Sequence, residues 1–509
     1  MTVQSEAERQ RNWSRLAITG GLSVFLLNVV IRGWHCSDWI PNGDEPFSLY
    51  FSQWSWKGIS EVLMQGNNPP TFEWVVRFLQ ETLHLTWKSL RWTSVVGVSL
   101  GAAFLWAASS KHSTRVGLFT ASLFLASTHV MKASHLIRAY ALEIGLVSGL
   151  LWLTIHVSRQ RHAAAASNPW RWALWIALIL AIPWVHFYGW LLVVPAFVWV
   201  LRAKKWIPAI LAMFGLLPLG IHTVHRFLAT MESGVALSSN RGWKTLLDVF
   251  VQLNGNGFVA GLTLAVAVAA LTQTSREKLK RDGVWLLPLV LYAGGSLLTP
   301  MHAPRYIALF VPYWCHFVGT SLHVLLTEGS LKDRKLRGSV SWTSALFYLL
   351  LAAATLQVRP KTEVFGPMNA ASEEIGTHPS ASFVVSPRYC DLPFASILRP
   401  HVFQRGLAHE EMWIGAPTSS PKDPLHLELL DSGVQVWDVG EPDAELLPQV
   451  LTADTLCLCD CGLWQYPKAN ILDVIRDEFP NEVSHFQDQS IHIRCFARTT
   501  NQPSQGPKH

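Results

Sequence analysis

Eleven apolar stretches follow one another through the first 357 residues, at 15–34, 90–108, 116–134, 138–157, 172–186, 188–201, 207–224, 257–273, 283–300, 305–326 and 340–357. A helix crosses a bilayer with about 20 mostly apolar residues, so this succession predicts a polytopic α-helical membrane protein of about 11 crossings. Composition agrees: half of the 509 residues are hydrophobic, 15% are charged, and the mean hydropathy is +0.23. A soluble chain of this length needs more charge to cover its surface. The 24 tryptophans point the same way, because Trp gathers where a bilayer meets water.

The run from Trp172 to Leu201 is too long for one upright helix and short for two. Pro183 and the group His186-Phe187-Tyr188 at its middle predict a turn there. With two helices in that run, every second loop is basic: Arg9/Arg11/Arg15, Lys111/Arg115, Arg159/Arg161/Arg171, Arg202/Lys204/Lys205, Arg276/Lys278/Lys280/Arg281 and Lys332/Arg334/Lys335/Arg337. The positive-inside rule then places the N-terminus in the cytoplasm and the C-terminus outside. The same clustering makes the net charge of +6 a topology signal and excludes a nucleic-acid patch. The stretch Leu16 to Trp34 is long for a signal-peptide core, and no small-x-small cleavage site precedes Asp44, so it reads as an uncleaved first helix.

Two segments protrude on the outer side. In the first, residues 35–89, Phe47, Tyr50, Phe51 and Trp54 keep helical spacing, as do Phe72, Val75, Val76 and Leu79 with Leu83 a turn on. Such stripes predict helices lying along the membrane surface. Asn67-Asn68-Pro69-Pro70 separates them, and the prolines suit the opening of the second helix. A membrane domain is thus expected over 1–357, followed by a small extracytoplasmic α/β domain over 358–498 and a polar, disordered tail over 499–509. Within the outer domain Ser382–Ser386, Val434–Val439, Thr455–Cys459 and Ser490–Phe496 read as strands, and Ala469–Phe479 as a helix.

Five of the seven cysteines, Cys390, Cys457, Cys459, Cys461 and Cys495, fall in that domain, where an oxidising compartment permits disulfides. On a strand Cys457, Cys459 and Cys461 share one face, but no CxxC or HxxxH pair completes a zinc spacing, which favours a structural role. No P-loop, GxGxxG sequence or 20–50-residue repeat is present, so nucleotide hydrolysis has no support.

The polar residues able to carry chemistry converge on the outer face. Asp44 and Glu45 open the first loop and Asn68 lies between its helices. Arg138 and Tyr140 sit at the outer end of the fourth helix, and His186 and Tyr188 at the turn between the fifth and sixth. His302, Arg305 and Tyr306 cap the turn between the ninth and tenth. Ionisable groups at membrane depth pair, line a wet cavity or act on a substrate. Arginines suit phosphate oxygens. A carboxylate such as Asp44 suits a general base or a divalent-cation ligand, for Mg, Mn or Zn. Each residue also has a plainer reading. Asp44 and Glu45 suit a helix N-terminus, Arg138 and Arg305 suit headgroup anchoring, and His186 suits a satisfied turn position.

The order of these motifs resembles the GT-C superfamily of polytopic glycosyltransferases, in particular the prokaryotic branch similar to protein O-mannosyltransferases and the lipid A aminoarabinose transferase. The resemblance rests on Gly43-Asp44-Glu45-Pro46-Phe47-Ser48-Leu49, Asn68-Pro69-Pro70-Thr71-Phe72, Arg138-Ala139-Tyr140, His186-Phe187-Tyr188 and Arg305-Tyr306, and spans roughly 15–325. It implies transfer of a sugar from a polyprenyl-phosphate donor to a glycan, lipid or protein acceptor outside a bacterial cytoplasmic membrane, usually with inversion. By analogy Asp44 is the acid/base residue or metal ligand, Glu45 assists, and Arg138 and Arg305 hold the donor phosphate. One departure matters: the branch often carries His before its Pro-Pro pair, and Asn68 cannot shuttle a proton, so it is assigned to substrate binding. The competing reading is a transporter or lipid flippase, whose sites lie nearer the bilayer midplane between paired repeats. A non-catalytic envelope scaffold would leave Asp44 and the arginines without a purpose.

Overall fold

The computed structural model of the protein describes residues 6–232 apart from 35, 38–40, 42–44, 66–68 and 159–168, together with single residues and short pieces within 247–268. Beyond these it describes 282–298, 304–328, 368–385, 394, 397, 434–436, 454–460, 475–477, 479–488 and 491–498. Two compact units emerge: residues 1–37, 63–75 and 88–359, and residues 38–62, 76–87 and 360–509.

The first unit is a helical bundle. Its helices are α1 (Glu6–Gly33), α5 (Trp87–Ser109), α6 (Thr114–Ala126), α7 (Thr128–His135), α8 (Ala139–Ser158), α9 (Pro169–Val185), α10 (Gly189–Arg202) and α11 (Trp206–Glu232). After a 3-10 turn at Gly283–Leu286 come α12 (Leu287–Leu298), a 3-10 segment Pro304–Phe310 and α13 (Val311–Glu328). Among the described residues four helices are long and apolar enough to cross a membrane, Trp87–Ser109, Ala139–Val157, Trp206–His225 and Arg305–Leu325. The bent pair α6–α7 adds a fifth if it is one span, and Ile18–Gly33, Pro169–Val185, Gly189–Arg202 and Gly283–Ser296 are shorter apolar helices. The chain is therefore a polytopic membrane protein. Most of the expected span 257–273 and all of 340–357 lie outside the described residues.

The expected single span 116–134 is broken, with α6 and α7 meeting at 64°. Ser127, extended at φ −66° and ψ 118°, ends one helix and caps the next by accepting from Val130 N. A break at membrane depth frees backbone groups that hydrocarbon cannot satisfy. Here Phe124 O takes the Ser127 N–H and also Arg32 Nη2 at 3.3 Å. Arg32 is fully buried, bonds Asn28 Oδ1 at 3.1 Å and lies over the Phe124 ring at 5.7 Å. Its own carbonyl meets His135 Nε2 at 2.6 Å. The top of α1 is thus pinned to both sides of the break.

The run 172–201 is two helices, α9 and α10, as its central polar group predicts. Elsewhere small residues let backbones touch. A Cβ on Gly145 of α8 would stand 2.7 Å from Gly97 O of α5, and one on Gly101 would meet Ser148 and Ile144. This small-xxx-small contact, Gly97 and Gly101 against Gly145, brings α5 and α8 into close approach. Hydrogen bonds across the bundle add to it: Trp175 Nε1 to Thr154 Oγ1 at 2.9 Å, and Tyr313 Oη to Leu192 O at 2.5 Å.

The loop 35–89 carries α2 (Glu45–Phe51), α3 (Trp56–Gln65) and α4 (Thr71–Leu83). The expected stripe through Trp54 stops short. Ser52 Oγ donates to Leu49 O at 2.9 Å, and Ser55 Oγ caps a new helix by accepting from Gly58 N at 3.1 Å. Trp54 still packs on Tyr50 and Phe51, at 5.9 and 5.7 Å between centroids.

The C-terminal part of the second unit has α14 (Met368–Gly376) and a five-stranded mixed sheet in the order β2-β1-β3-β5-β4. The strands are β1 (Ser382–Val385), β2 (Val434–Val436), β3 (Thr455–Asp460), β4 (Asn481–Asp488) and β5 (Ile491–Ala497). β1 runs parallel to β2 and β3, whereas β3–β5 and β5–β4 are antiparallel. Cys457 and Cys495 face each other across β3 and β5 and form a disulfide. Cys459 is buried one pleat along. Cys390 and Cys461, most of the expected helix Ala469–Phe479 and the tail 499–509 lie outside the described residues, though 475–477 is helical.

Candidate active site

Arg138 ends the Leu136–Arg138 bend between α7 and α8, which Ser94 holds by donating to Leu136 O at 2.6 Å. Two residues on, Tyr140 turns its buried ring toward His186 and Tyr306, at centroid distances of 5.6 and 6.1 Å. His186 occupies the α9–α10 turn, 3% exposed. Its Nδ1 accepts the Tyr188 N–H at 3.2 Å and its ring stacks on Tyr188 at 5.5 Å and 19°. Tyr306 closes the group, 5.3 Å from His186 and 4.6 Å from Tyr188, while Tyr292 of α12 meets Tyr188 edge-on at 5.5 Å. Arg305 is exposed and lies over Tyr306 at 5.4 Å. Arg138, Tyr140, His186, Tyr188, Arg305 and Tyr306, distant in sequence, therefore share one place in the bundle.

The electrostatics follow from that packing. Burial, then the positive charges of Arg138 and Arg305, push the His186 imidazole down to a pKa of about 3. Burial and the neighbouring tyrosines keep the Tyr188 phenol protonated, pushed well above its usual range. Glu143 Oε2 stands 3.9 Å from His186 Nδ1. At that distance, with the ring neutral and Nδ1 already accepting a proton from the backbone, the contact is no salt bridge.

A histidine buried neutral makes the fold acid-sensitive. Below pH 6.5 the unfolded imidazole binds a proton that the folded one refuses until about pH 3. Stability present above pH 6.5 is lost as the pH falls, by up to about 1.4 kcal/mol per pH unit. The melting temperature in detergent is expected to drop between pH 7 and 5, and to drop less in His186→Gln.

Asp44, Asn68 and His302 lie outside the described residues. Glu45 is buried at the start of α2 and belongs to the second unit. Among the described residues no group of three or more His, Cys, Asp or Glu is placed to hold a metal ion. Sequence reasoning missed Glu143 and Tyr292. A lone carboxylate in the apolar run 138–157, three residues after Tyr140, was the available signal for the first.

No family model matches the sequence, and no curated protein matches it. Among solved structures, that of ArnT from Cupriavidus metallidurans in the apo state superposes with a TM-score of 0.53, covering 96% of this chain and 98% of that one at 15% identity. The fold resembles that of ArnT. A second ArnT structure from the same organism, bound to undecaprenyl phosphate, aligns with a TM-score of 0.49, again at 15% identity, over 95% of this chain and 98% of that one. The ArnT-like fold agrees with the motif order read from the sequence.

Proposed function

We propose that the protein moves a sugar from a polyprenyl-phosphate donor to an acceptor on the outer face of a bacterial cytoplasmic membrane. The observation that carries this reading is that the charges of Arg138 and Arg305 both reach buried His186, around which Tyr140, Tyr188 and Tyr306 pack. Two guanidiniums beside membrane helices suit a lipid-borne phosphate, which they can hold by bidentate, charge-assisted bonds. Tyrosine faces and hydroxyls suit a sugar. The GT-C-like fold supports the same class of reaction.

In the proposed reaction Asp44 takes the proton of the acceptor hydroxyl as that oxygen attacks the anomeric carbon. The lipid phosphate leaves from the opposite face, so the configuration inverts. Arg138 and Arg305 stabilise the charge that grows on the departing phosphate, which is where electrostatic stabilisation acts most strongly. Glu45 assists Asp44, and Asn68 and His302 contribute hydrogen bonds to the substrates.

The test is covalent transfer in detergent, where transport across a sealed vesicle cannot register. Purified protein is given a panel of radiolabelled polyprenyl-phosphate sugars with envelope acceptors. Asp44→Asn keeps the side-chain shape without the base and is expected to slow transfer about 10²- to 10⁴-fold. Near-normal transfer by that variant removes Asp44 from the role. Absence of transfer by the native chain with every donor, alongside movement in vesicles, turns the reading toward a flippase.

A further inference from the structure

Glu143 projects one turn beyond Tyr140 along α8, and its side chain is fully buried. Among the described residues neither of its carboxyl oxygens has a hydrogen-bond partner. A buried polar group left so is costly, and it is kept where it has work in another state. The Tyr313 phenol, which donates to Leu192 O, is one polar neighbour. Another polar atom that Glu143 approaches is His186 Nδ1, 3.9 Å away. That nitrogen now accepts from Tyr188 N–H, so it offers Glu143 no proton. His186 Nδ1 thus has two alternative neighbours: a backbone donor that suits the neutral ring, and a carboxyl group that suits the charged one.

The surroundings say what would switch between them. Tyr140, Tyr188 and Tyr306 pack around the ring, and Arg138 and Arg305 oppose any positive charge on it. An anion seated against both arginines cancels that opposition. We propose that Glu143 is a positioning residue acting through His186. When a phosphate lies against Arg138 and Arg305, Nδ1 exchanges the Tyr188 N–H for Glu143, and the charged pair aims the imidazole at the phosphate as a hydrogen-bond donor. One N–H bond forms at Nδ1 as the Glu143 carboxyl O–H bond breaks, leaving a carboxylate beside an imidazolium, and nothing is oxidised or reduced. The inference rests on the phosphate reading above and adds a residue to it.

A double-mutant cycle tests it in the full-length protein in detergent, with a short-chain polyprenyl phosphate as probe and the matching phosphate-free polyprenol as control. Glu143→Gln and His186→Gln are each expected to lower affinity for the phosphate about tenfold, while the double variant loses no more than either alone. Glu143→Asp, which keeps a carboxylate, is expected to retain more affinity than Glu143→Gln. Polyprenol binding stays unchanged throughout. Additive losses, equal losses for both lipids, or native affinity in Glu143→Gln overturn the proposal. If Glu143→Gln does not fold, Glu143→Ala takes its place in the cycle and is read in the same way. Should the native chain bind phosphate and polyprenol alike, it is the phosphate reading itself that fails.

Discussion

Replacing Arg138 and Arg305 together by glutamine is expected to weaken binding of a polyprenyl phosphate by at least about a hundredfold, since each hydrogen bond from a charged donor contributes about 1.5–3 kcal/mol. Glutamine keeps hydrogen-bonding capacity and much of the length, so the loss reports charge and the guanidinium fork, and affinity for phosphate-free polyprenol should hardly change. Each single variant should fall between. A second consequence separates this site from simple headgroup anchoring. Burial and, after it, both guanidiniums hold His186 neutral, so the double variant should also lose part of its acid sensitivity, melting closer to its neutral-pH temperature at pH 5. Arginines that only anchored headgroups would alter neither the discrimination between the two lipids nor the pH dependence of melting. Binding and melting curves on one preparation decide it.

How much of this was legible beforehand depends on where the physics leaves a mark. The His186 turn showed itself because a proline and three ring-bearing residues interrupt an apolar run that is too long for one helix. Arg138 and Arg305 showed themselves because charge next to a span is conspicuous. The break at Ser127 did not, since serine and threonine are ordinary in membrane helices. What makes a break there is a cap together with a distant arginine: Arg32 closes Phe124 O from α1, more than ninety residues away. β4 was missed for the opposite reason. It is an edge strand whose residues are largely exposed, with Val483 53% exposed at the irregularity between Glu482 and Ser484. Strand patterns are read from the alternation of buried and exposed positions, and an exposed edge dulls that alternation. Glu143 carried a signal, a carboxylate inside a span, but its meaning came only with His186 as a neighbour. The eleven expected crossings rest on hydropathy and loop charge. Among the described residues helix length and composition carry four or five, with four shorter apolar helices beside them.

Gly189→Ala is expected to be among the most damaging single-methyl additions in the bundle. The new Cβ would stand 2.6 Å from Ile182 O and 2.7 Å from both Ile182 C and Pro183 Cα. All three are backbone atoms, so no side-chain rotation relieves the clash. The turn itself has to open. That turn is held by His186 N to Ile182 O at 3.3 Å and Gly189 N to His186 O at 2.8 Å, and opening it strains both. His186 and Tyr188 ride on it, so the aromatic wall moves with them. Overpacking a tight site costs about 1–3 kcal/mol. The displaced site should therefore lower polyprenyl-phosphate affinity at least tenfold, with a clear fall in melting temperature. Gly294→Ala provides the control: a Cβ there meets nothing within 4 Å, and alanine inside α12 should hold or raise stability. If Gly189→Ala melts and binds like the native chain while Gly294→Ala does the same, the close approach at this turn does not set the geometry of the site.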